Sequence, residues 1–480
     1  MSSEPTSTST STSTATPTAT PTATERSSRR AVWAVVLVGL AARAALAAAV
    51  PLTTDEAYYV DWARHLAPGY LDHPPLVAWL IAGPLWLFGH HELAVRLPAL
   101  LLQAGTTLLA ASLARRLAGQ RAALALALML QAAPVFSVGA FLVTPDAPLA
   151  FGWAGSLWAV ERASSRSPRW WLAAGLFLGL AALAKLHAGL LGIALLAAAL
   201  ATAEGRRALR TPWPWLAAAL ALLVCSPFLR WNAHHGWATF AFQASHGLRG
   251  RSFSAQRLLA WLAGQAGYVS PLLLVLAAAA SWRALRGIPR ALVPTALAFS
   301  ALPVAAFFAL SAAFTPGALP HWAAPAWLSA LVLLAAAGAA RLRAALLVGG
   351  VMTALLLAAV PVAPRLVEGP LDELRGWREA VEEARRLAPG ERLATTHWMA
   401  LGHLGWYAQE PLVYVSDRFA GPTLYAPPRD ERPLLVVAPE GLGPDRAGLE
   451  RLLGPVVERG ELAVRYGGRV VRRYRFYERR

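Results

Sequence analysis

The chain has 480 residues, of which 56% are hydrophobic and 15% charged, and its mean hydropathy is +0.44. Soluble domains carry about 25% charged residues, so this composition excludes an ordinary soluble protein and indicates a membrane protein. The net charge of +17 does not indicate nucleic-acid binding: most of the excess lies in short clusters between apolar runs, and from Arg365 onward 19 arginines stand against 17 acids.

The chain begins with a predicted disordered cytoplasmic tail, residues 1–30, rich in Ser, Thr and Pro. Residues 31–364 contain eleven apolar runs, most of them close to the 20 or so residues that cross a bilayer as a helix. They predict an all-α polytopic membrane bundle. The predicted spans are 32–50, 94–114, 122–142, 148–161, 170–184, 188–203, 213–229, 259–281, 291–312, 321–339 and 344–362.

The charges between these runs predict the topology. With the N-terminus in the cytoplasm, every short inside connection contains arginines, as the positive-inside rule requires. The outside connections hold the acids, most loop histidines and many aromatic residues, so we expect the functional face outside. Within the first of them, 51–93, we predict amphipathic helices at the membrane interface. The other outside connections are 143–147, 185–187, 230–258 and 313–320.

After Pro364 the composition changes, and residues 365–480 predict a small α/β domain on the outside. A helical pattern covers 371–388, and a second predicted helix lies near 444–453. Short runs typical of strands occur at 411–415 and 433–437, with a strand pair around 462–477.

The first candidate site is the pair Asp55 and Glu56, directly after the first span. A carboxylate at a membrane boundary, partly shielded by Tyr58 and Tyr59, is suited to general-base chemistry. The alternative is that Asp55 only caps a helix that begins at Glu56. Asp72 lies in the same loop, and Tyr58, Tyr59 and Asp72 are candidate substrate-binding residues.

Asp146 and Lys185 lie between pairs of apolar runs with almost no loop. An acid there is costly unless it faces a cavity or a partner, although a capping turn between two prolines is an equal alternative. Lys185 is the only lysine in the chain, and its ammonium could bind a phosphate as a compact charge. The alternative is that it extends to the membrane interface.

Aromatic and hydrogen-bonding side chains in two outside segments are typical of sugar binding, although Trp residues also form interfacial belts. The candidates are Trp231, Asn232 and His321. We expect no cofactor. A divalent metal is not supported by ligand spacing, because the histidines show no HExxH or comparable arrangement, and we assign no metal ligands.

An ordered set of motifs between about residues 30 and 364 resembles the bacterial glycosyltransferase family 39/83 group, the GT-C enzymes. This group includes protein O-mannosyltransferases and the lipid A aminoarabinose transferase. The motifs are Asp55-Glu56-Ala57-Tyr58-Tyr59, Tyr70-Leu71-Asp72-His73-Pro74-Pro75-Leu76, Arg96-Leu97-Pro98, Thr144-Pro145-Asp146, Gly179-Leu180 with Lys185, Trp231-Asn232 with Trp237, and His321-Trp322-Ala323-Ala324-Pro325. A weaker likeness continues through Gly376-Trp377.

The resemblance implies a polyprenyl-phosphate-linked sugar donor, an extracytoplasmic lipid, glycan or protein acceptor, inversion at the anomeric carbon, and a place in the bacterial cytoplasmic membrane. It implies that Asp55 is the general base and that Glu56 and Asp146 orient the acceptor or share its proton. It also implies that Lys185, Arg96 and His73 neutralise the donor phosphate as it leaves. The aminoarabinose transferases tend to have Lys-Pro-Pro where this chain has His73-Pro74-Pro75, which weakens the transfer of their specificity.

A non-catalytic transporter or flippase of polyprenyl-linked sugars is the alternative function. Transporters of that kind usually show broken helices at corresponding positions in two halves of the chain. The acids of this sequence instead cluster in loops. The sequence therefore favours the transferase.

Overall fold

The structure, a computed structural model, describes residues 23–248, 252–288, 291–360, 372–415 and 433–479. Most of these residues form helices, as the apolar runs predict. The helices before the C-terminal region are α1 Ala23–Ala49, α2 Thr54–Arg64, α3 Leu76–Phe88, α4 Glu92–Ala132, α5 Pro134–Ser137, α6 Asp146–Ser165, α7 Trp170–Ala184, α8 Ala188–Ala201, α9 Ala203–Leu209, α10 Trp213–His234, α11 Ala238–Leu248, α12 Ala255–Val269, α13 Pro271–Arg286, α14 Leu292–Ser300, α15 Leu302–Phe314, α16 Ala324–Ala337 and α17 Leu342–Ala359. Short 3-10 helices cover Pro320–Ala323 and Asp372–Leu374.

The structure does not confirm the predicted number of eleven membrane crossings. In the described part of the chain, six helices are long and apolar enough to span a bilayer, or up to eight if each sharply bent pair counts once. One source of the difference is α4, whose 41 residues are broken at Ala118 and Gly119 and cover two predicted spans. Bends of 107° between α8 and α9 and 102° between α12 and α13 interrupt two others. The chain is nonetheless a multi-pass membrane protein.

The segment between α1 and α4 contains two helices, α2 and α3, where interfacial helices are predicted. They differ in character. Nine of the eleven residues of α2 are buried, because it lies between the bundle and the C-terminal region. In contrast, α3 exposes Trp86, Leu87 and Phe88 at its end, which is typical of a helix that lies in the membrane interface. The interfacial prediction therefore fits α3 better than α2.

The C-terminal region contains three helices and a five-stranded sheet. The helices are α18 Trp377–Leu387, α19 Trp398–Ala408 and α20 Arg446–Leu453. The strands are β1 Arg392–Thr395, β2 Val413–Tyr414, β3 Leu434–Pro439, β4 Val456–Tyr466 and β5 Arg469–Arg479, in the order β2-β1-β3-β5-β4. The first three are parallel, and β5 pairs antiparallel with β3 and β4.

The predicted helices and strands of this region are all present, whereas β1 and α19 were not predicted. The predicted boundary at 364/365 lies within 361–371, outside the described residues. Most of the predicted N-terminal tail lies outside them as well, and α1 begins at Ala23, inside the predicted 1–30. The domain boundaries therefore stay predictions.

Candidate active site

The start of α2 decides which of its two acids is available for chemistry. Thr53 is the N-cap, and its side chain and backbone form a capping box with Glu56. The Thr53 backbone N–H donates to Glu56 Oε2 at 2.9 Å. Asp55 therefore does not cap the helix, and its exposed side chain lines the large cavity described below.

Glu56 is instead fully buried and forms an ion pair with Arg96 of α4. Arg96 Nε lies 2.8 Å from Glu56 Oε1 and Nη2 lies 2.7 Å from Oε2, so the contact is bidentate. Arg96 also donates to the carbonyl oxygens of Ala47, Val50 and Pro51. Both side chains have 0% exposure. The pair ties the end of α1 and the start of α2 to α4.

A second charged pair joins the start of α6 to the end of α7. Lys185 Nζ donates to Asp146 Oδ1 at 2.8 Å, and His321 Nε2 lies 3.9 Å from Asp146 Oδ2. Lys185 is buried, so it does not extend to the interface as the alternative interpretation requires. Although burial would raise it, Lys185 and His321 hold the pKa of Asp146 well below its ordinary range. Asp146 is therefore ionised beside Lys185 on the wall of the cavity.

These groups meet in one cavity of about 1870 Å³. Its polar end is lined by the carboxylates of Asp55, Asp72 and Asp146 and by Lys185, which is the only Lys or Arg among the described lining residues. The rest of the wall is largely apolar. It includes Phe307, Phe308, Leu310, Met352, Leu355 and Leu356. Because pockets for drug-sized molecules occupy about 300–1000 Å³, this cavity has room for a substrate with a long apolar part.

Aromatic side chains shape the polar end. The Tyr58 hydroxyl donates to Asp72 Oδ2 at 2.8 Å, and the Tyr58 ring lies 5.0 Å from that of Trp398 on α19. Tyr59 and His73 also contact each other edge to face and line the cavity. The C-terminal region thus contributes an indole to the same wall as the membrane bundle.

The structure places four of the predicted site residues away from the described cavity wall. They are Glu56, Arg96, Trp231 and Asn232. Trp231 packs over Gly69 and stacks on His235 at 4.1 Å. Asn232 is buried, donates to the Phe228 carbonyl and accepts from the Thr239 backbone. The other predicted residues line the cavity together: Asp55, Asp146, Lys185, His73, Tyr58, Tyr59, Asp72 and His321.

The surroundings of Asp55 favour its neutral form. Its partial removal from water raises the pKa of this carboxyl group, and the nearby negative charges of Glu56, Asp146 and Asp72 raise it further. Lys185 acts in the opposite direction. A carboxylate with a raised pKa is a stronger base than an ordinary aspartate, which suits proton abstraction.

No group of three or more His, Cys, Asp or Glu side chains in the described part of the chain is arranged to hold a metal ion. The histidines at the cavity are dispersed. His321 faces Asp146, and His187 packs near Phe308 and Trp322. The expectation that no metal or cofactor is required stays a prediction.

Comparisons with known proteins agree with the fold. The structure of ArnT from Cupriavidus metallidurans bound to undecaprenyl phosphate has a TM-score of 0.68 and 20% identity, over 93% of this chain and 97% of that one. The apo structure of the same protein has a TM-score of 0.67 and 18% identity, over 94% of this chain and 98% of that one. The chain has the GT-C fold.

Two further comparisons agree with this assignment. The family model of dolichyl-phosphate-mannose-protein mannosyltransferases matches residues 72–231. The archaeal oligosaccharyltransferase AglB from Archaeoglobus fulgidus, in complex with an inhibitory peptide and a dolichol-phosphate, has a TM-score of 0.50 and 12% identity, over 82% of this chain and 65% of that one. A search of curated protein sequences found no match. The predicted resemblance to the GT-C glycosyltransferases is confirmed.

Several residues of the cavity wall in this GT-C chain were not predicted from the sequence, among them His187, Tyr268 and Trp398. His187 lies two residues after Lys185, and Tyr268 lies near the end of α12, 6.3 Å from the His321 ring. Trp398 follows the short strand β1, which was itself not predicted. The segment Thr395-Thr396-His397-Trp398, polar and aromatic at a strand end, was the available signal for the last of them.

Proposed function

We propose that this protein is an inverting glycosyltransferase that moves a sugar from a polyprenyl-phosphate donor to an extracytoplasmic acceptor. The observation that carries the proposal is that Asp55 and Lys185 line the polar end of one large cavity whose remaining wall is mostly apolar. A base for the acceptor, a cation for the leaving phosphate and an apolar surface for a lipid are the three groups that this reaction needs.

The proposed step is a single displacement. Asp55 accepts the proton of the acceptor hydroxyl, and the oxygen forms a bond to the anomeric carbon on the face opposite the phosphate. The bond between that carbon and the phosphate oxygen breaks, and its electron pair leaves with the polyprenyl phosphate. Lys185 stabilises the negative charge that develops on this phosphate, which is commonly the largest catalytic contribution.

The Lys185–Asp146 contact is compatible with this role. A lysine ammonium has three N–H donors, and the contact with Asp146 Oδ1 uses one of them. We propose that Asp146 holds the ammonium in place until the donor arrives, and that His73 and His321 add hydrogen bonds to the phosphate or the sugar. Tyr58, Tyr59 and Asp72 would then bind the sugar and the acceptor.

We assign Glu56 and Arg96 a different role from the one implied by the resemblance. Both are fully buried, and Arg96 donates to Glu56 and to three backbone carbonyls. We propose that this pair fixes the start of α2 and thereby orients Asp55, and that it does not bind the phosphate. We also propose a structural role for Trp231, which packs over Gly69, and for Asn232, which holds Thr239, whose hydroxyl donates to the Tyr70 carbonyl.

The comparison structure of ArnT was solved with undecaprenyl phosphate, which supports a polyprenyl-phosphate donor for a chain with the same fold. The acceptor that we propose is a glycolipid, a cell-envelope glycan or a protein. We propose that the cavity and the C-terminal domain lie on the outer face of the bacterial cytoplasmic membrane, and the arginine-rich connections support this orientation.

The test is transfer in vitro from a panel of radiolabelled polyprenyl-phosphate sugars, with purified wild type, Asp55→Asn and the control Glu92→Gln. Glu92 lies at the start of α4 and is not among the described cavity residues. We expect wild type and the control to transfer one sugar, and Asp55→Asn to bind the donor without transfer. Transfer should persist in EDTA, because we propose no metal. If the donor binds and crosses the membrane without transfer by any form, the transporter alternative replaces the proposal.

A further inference from the structure

Trp398 brings the C-terminal region to the wall of the active-site cavity. It is the first residue of α19, directly after the N-cap residue His397, and its side chain is half-buried. Among the described residues from Asp372 onward, it is the only one that lines the cavity. The displacement proposed above gives this indole no role, although it lies on the wall that the substrates must contact.

The helix that carries Trp398 packs directly against the helix that carries Asp55. A Cβ atom on Gly402 would lie 2.5 Å from the carbonyl carbon of Ala57, so the backbones of α19 and α2 touch, and a side chain at this position would overlap α2. One residue further along α19, His403 Nε2 lies 3.2 Å from the buried Thr54 hydroxyl oxygen at the start of α2. These contacts fix the start of α19 relative to the proposed base.

The other end of α19 is also held by the membrane bundle. Arg64, the last residue of α2, donates to the carbonyl oxygens of Gly405 at 2.8 Å and Glu410 at 3.1 Å. The His90 ring, in the connection between α3 and α4, stacks on Trp406 with centroids 3.6 Å apart. Because both ends of α19 are anchored, the indole at its first position is held in place against the cavity.

Aromatic side chains of α2 surround this indole. The Tyr58 ring lies 5.0 Å from that of Trp398 and 4.9 Å from that of Trp62. The Tyr58 hydroxyl donates to Asp72 Oδ2 at 2.8 Å. Tyr58 follows Asp55 by three residues, so the two side chains lie on the same face of α2. An aromatic surface and two carboxylates therefore meet at the polar end of the cavity.

This combination of groups is suited to a sugar ring. The face of an aromatic ring carries partial negative charge and packs well against the C–H groups on one side of a pyranose. The carboxylates of Asp55 and Asp72 can accept hydrogen bonds from its hydroxyl groups. A lipid tail needs no carboxylates, and a phosphate is repelled by them. The wall around Trp398 therefore fits the sugar better than it fits either of the other two parts of the donor.

The donor sugar is the one ring that the proposed reaction requires. Its lipid would lie along the apolar wall that includes Phe307 and Leu355, and its phosphate would lie at Lys185. Because the sugar is bonded directly to the phosphate, it must occupy the polar end, between Lys185 and Asp55. An acceptor protein or lipid, in contrast, need not present a ring to the cavity.

We propose that Trp398 of the C-terminal domain is a specificity-determining residue, whose indole packs against one face of the donor sugar. The inference rests on the proposed function, since it assumes a polyprenyl-phosphate sugar in this cavity. It gives the C-terminal domain a part in the choice of sugar, because an axial hydroxyl on the face that meets the indole prevents close packing. The preferred sugar is then one whose packed face carries no axial hydroxyl.

The first test measures binding of two lipids to the purified full-length protein. The lipids are undecaprenyl phosphate and the undecaprenyl-phosphate sugar that wild type binds most tightly from mannose, galactose and aminoarabinose forms. We expect Trp398→Leu to weaken binding of the lipid-linked sugar about threefold to tenfold, because it loses the aromatic face, and to change binding of undecaprenyl phosphate by less than about twofold. Trp398→Phe keeps a ring and should stay within about twofold of wild type for both lipids.

The matched control is Trp282→Leu, which removes an exposed indole of α13 that is not among the described cavity residues. It should bind both lipids as wild type does. An equal loss for the two lipids in Trp398→Leu would overturn the proposal, because the indole would then act on the phosphate, the lipid or the fold. Unchanged affinity for the lipid-linked sugar together with a raised acceptor KM would also overturn it and would assign the indole to the acceptor.

The second test concerns the choice of sugar. Mannose and galactose differ in which hydroxyl groups are axial, so their undecaprenyl-phosphate forms present different faces to the indole. We expect wild type to bind one of them more tightly and Trp398→Leu to reduce the ratio of the two affinities at least twofold, whereas Trp282→Leu should keep the wild-type ratio. An unchanged ratio in Trp398→Leu would overturn the role in specificity.

Failure of this inference differs from failure of the proposed function, because lipid binding is measured without transfer. If Trp398→Leu binds both lipids as wild type does while transfer still depends on Asp55, the role of Trp398 is wrong and the transferase assignment stands. If wild type binds the lipid-linked sugar but transfers none, the proposed function is wrong. If Trp398→Leu does not elute as wild type does in size-exclusion chromatography, Trp398→Met, which fills similar space without a ring, takes its place.

Discussion

The buried pair of Glu56 and Arg96 makes a strong prediction about stability. Glu56→Gln removes the charge and turns one acceptor into a donor that faces the guanidinium. Arg96 then keeps its carbonyl partners but lies in the interior without a counter-charge. Removing one partner of a buried ion pair typically costs about 3–5 kcal/mol. We expect a loss of that size in the free energy of unfolding.

The double variant Glu56→Gln, Arg96→Gln should lose less free energy of unfolding than the sum of the two single changes, because the double variant leaves no charge unpaired. The difference measures the coupling, which for contacting residues is about 0.5–3 kcal/mol. The assay is unfolding of detergent-solubilised protein by SDS titration, followed by tryptophan fluorescence.

The matched control is Glu450→Gln, which breaks an exposed pair with Arg446 at 3.0 Å on α20. Exposed pairs contribute about 0–1 kcal/mol, so we expect a change within that range. A change of about 1 kcal/mol or less for Glu56→Gln as well would refute the reasoning, since it would mean that water reaches the pair or that Arg96 has another counter-charge.

Three further predictions concern the site and the contact between α19 and α2. Transfer should be lost as the pH falls through the pKa of Asp55, because only the ionised carboxylate accepts a proton. Since the pKa of Asp55 is raised, this loss should begin at a higher pH than for an ordinary aspartate. A kcat–pH profile measures the loss, and a profile that stays flat into strong acid would contradict the prediction. Lys185→Met should weaken donor binding more than acceptor binding. It should also move the acidic limb of the kcat–pH profile to higher pH, since Lys185 favours the ionised form of Asp55. A donor affinity equal to that of wild type in a lipid-binding assay would count against the phosphate contact. Gly402→Ala should lower the free energy of unfolding by about 1–3 kcal/mol, because the Cβ of the alanine overlaps the α2 backbone. Faster limited proteolysis would reveal this loss. Gly350→Ala is the control and should be cleaved at the wild-type rate, because no neighbouring atom lies within 4 Å of the added Cβ.

The sequence identified Asp55 and Glu56 together but could not assign their roles. Both stand in the first turn of α2, and the choice depends on Arg96, 40 residues later, which takes Glu56 into the interior. The resemblance implied that Arg96 binds the donor phosphate, and nothing in the sequence indicated that Glu56 is its partner. A pairing between distant residues has no local pattern, so only the fold separates the cavity residue from the structural one.

The contact between Lys185 and Asp146 is a second pairing that the sequence does not reveal. Asp146 was recognised as an acid that needs a cavity or a partner, and Lys185 as a candidate phosphate ligand. The sequence did not indicate that the two are partners at 2.8 Å. Recognition of the GT-C resemblance succeeded because it uses the order of motifs and needs no knowledge of contacts.

The unpredicted helix α19 is a case in which tertiary packing overrides local propensity. Its sequence WMALGHLGWYA contains two glycines and two tryptophans, a poor composition for an isolated helix. Gly402 is required by the close contact with α2, and His403 and Trp398 face groups of the active site. The predicted count of eleven spans is also unconfirmed, because a hydropathy run does not reveal a bend of more than 100° within it.

The most direct measurement is release of free polyprenyl phosphate from a radiolabelled lipid-linked sugar in a single turnover. The reaction would contain an excess of purified protein and a crude envelope acceptor, with wild type and Asp55→Asn compared side by side. We expect wild type to release polyprenyl phosphate and labelled acceptor in equal amounts, and Asp55→Asn to bind the donor and release neither. Release by Asp55→Asn at the wild-type rate, or intact donor with both proteins, would contradict the assignment of this cavity as a transferase site with Asp55 as its base.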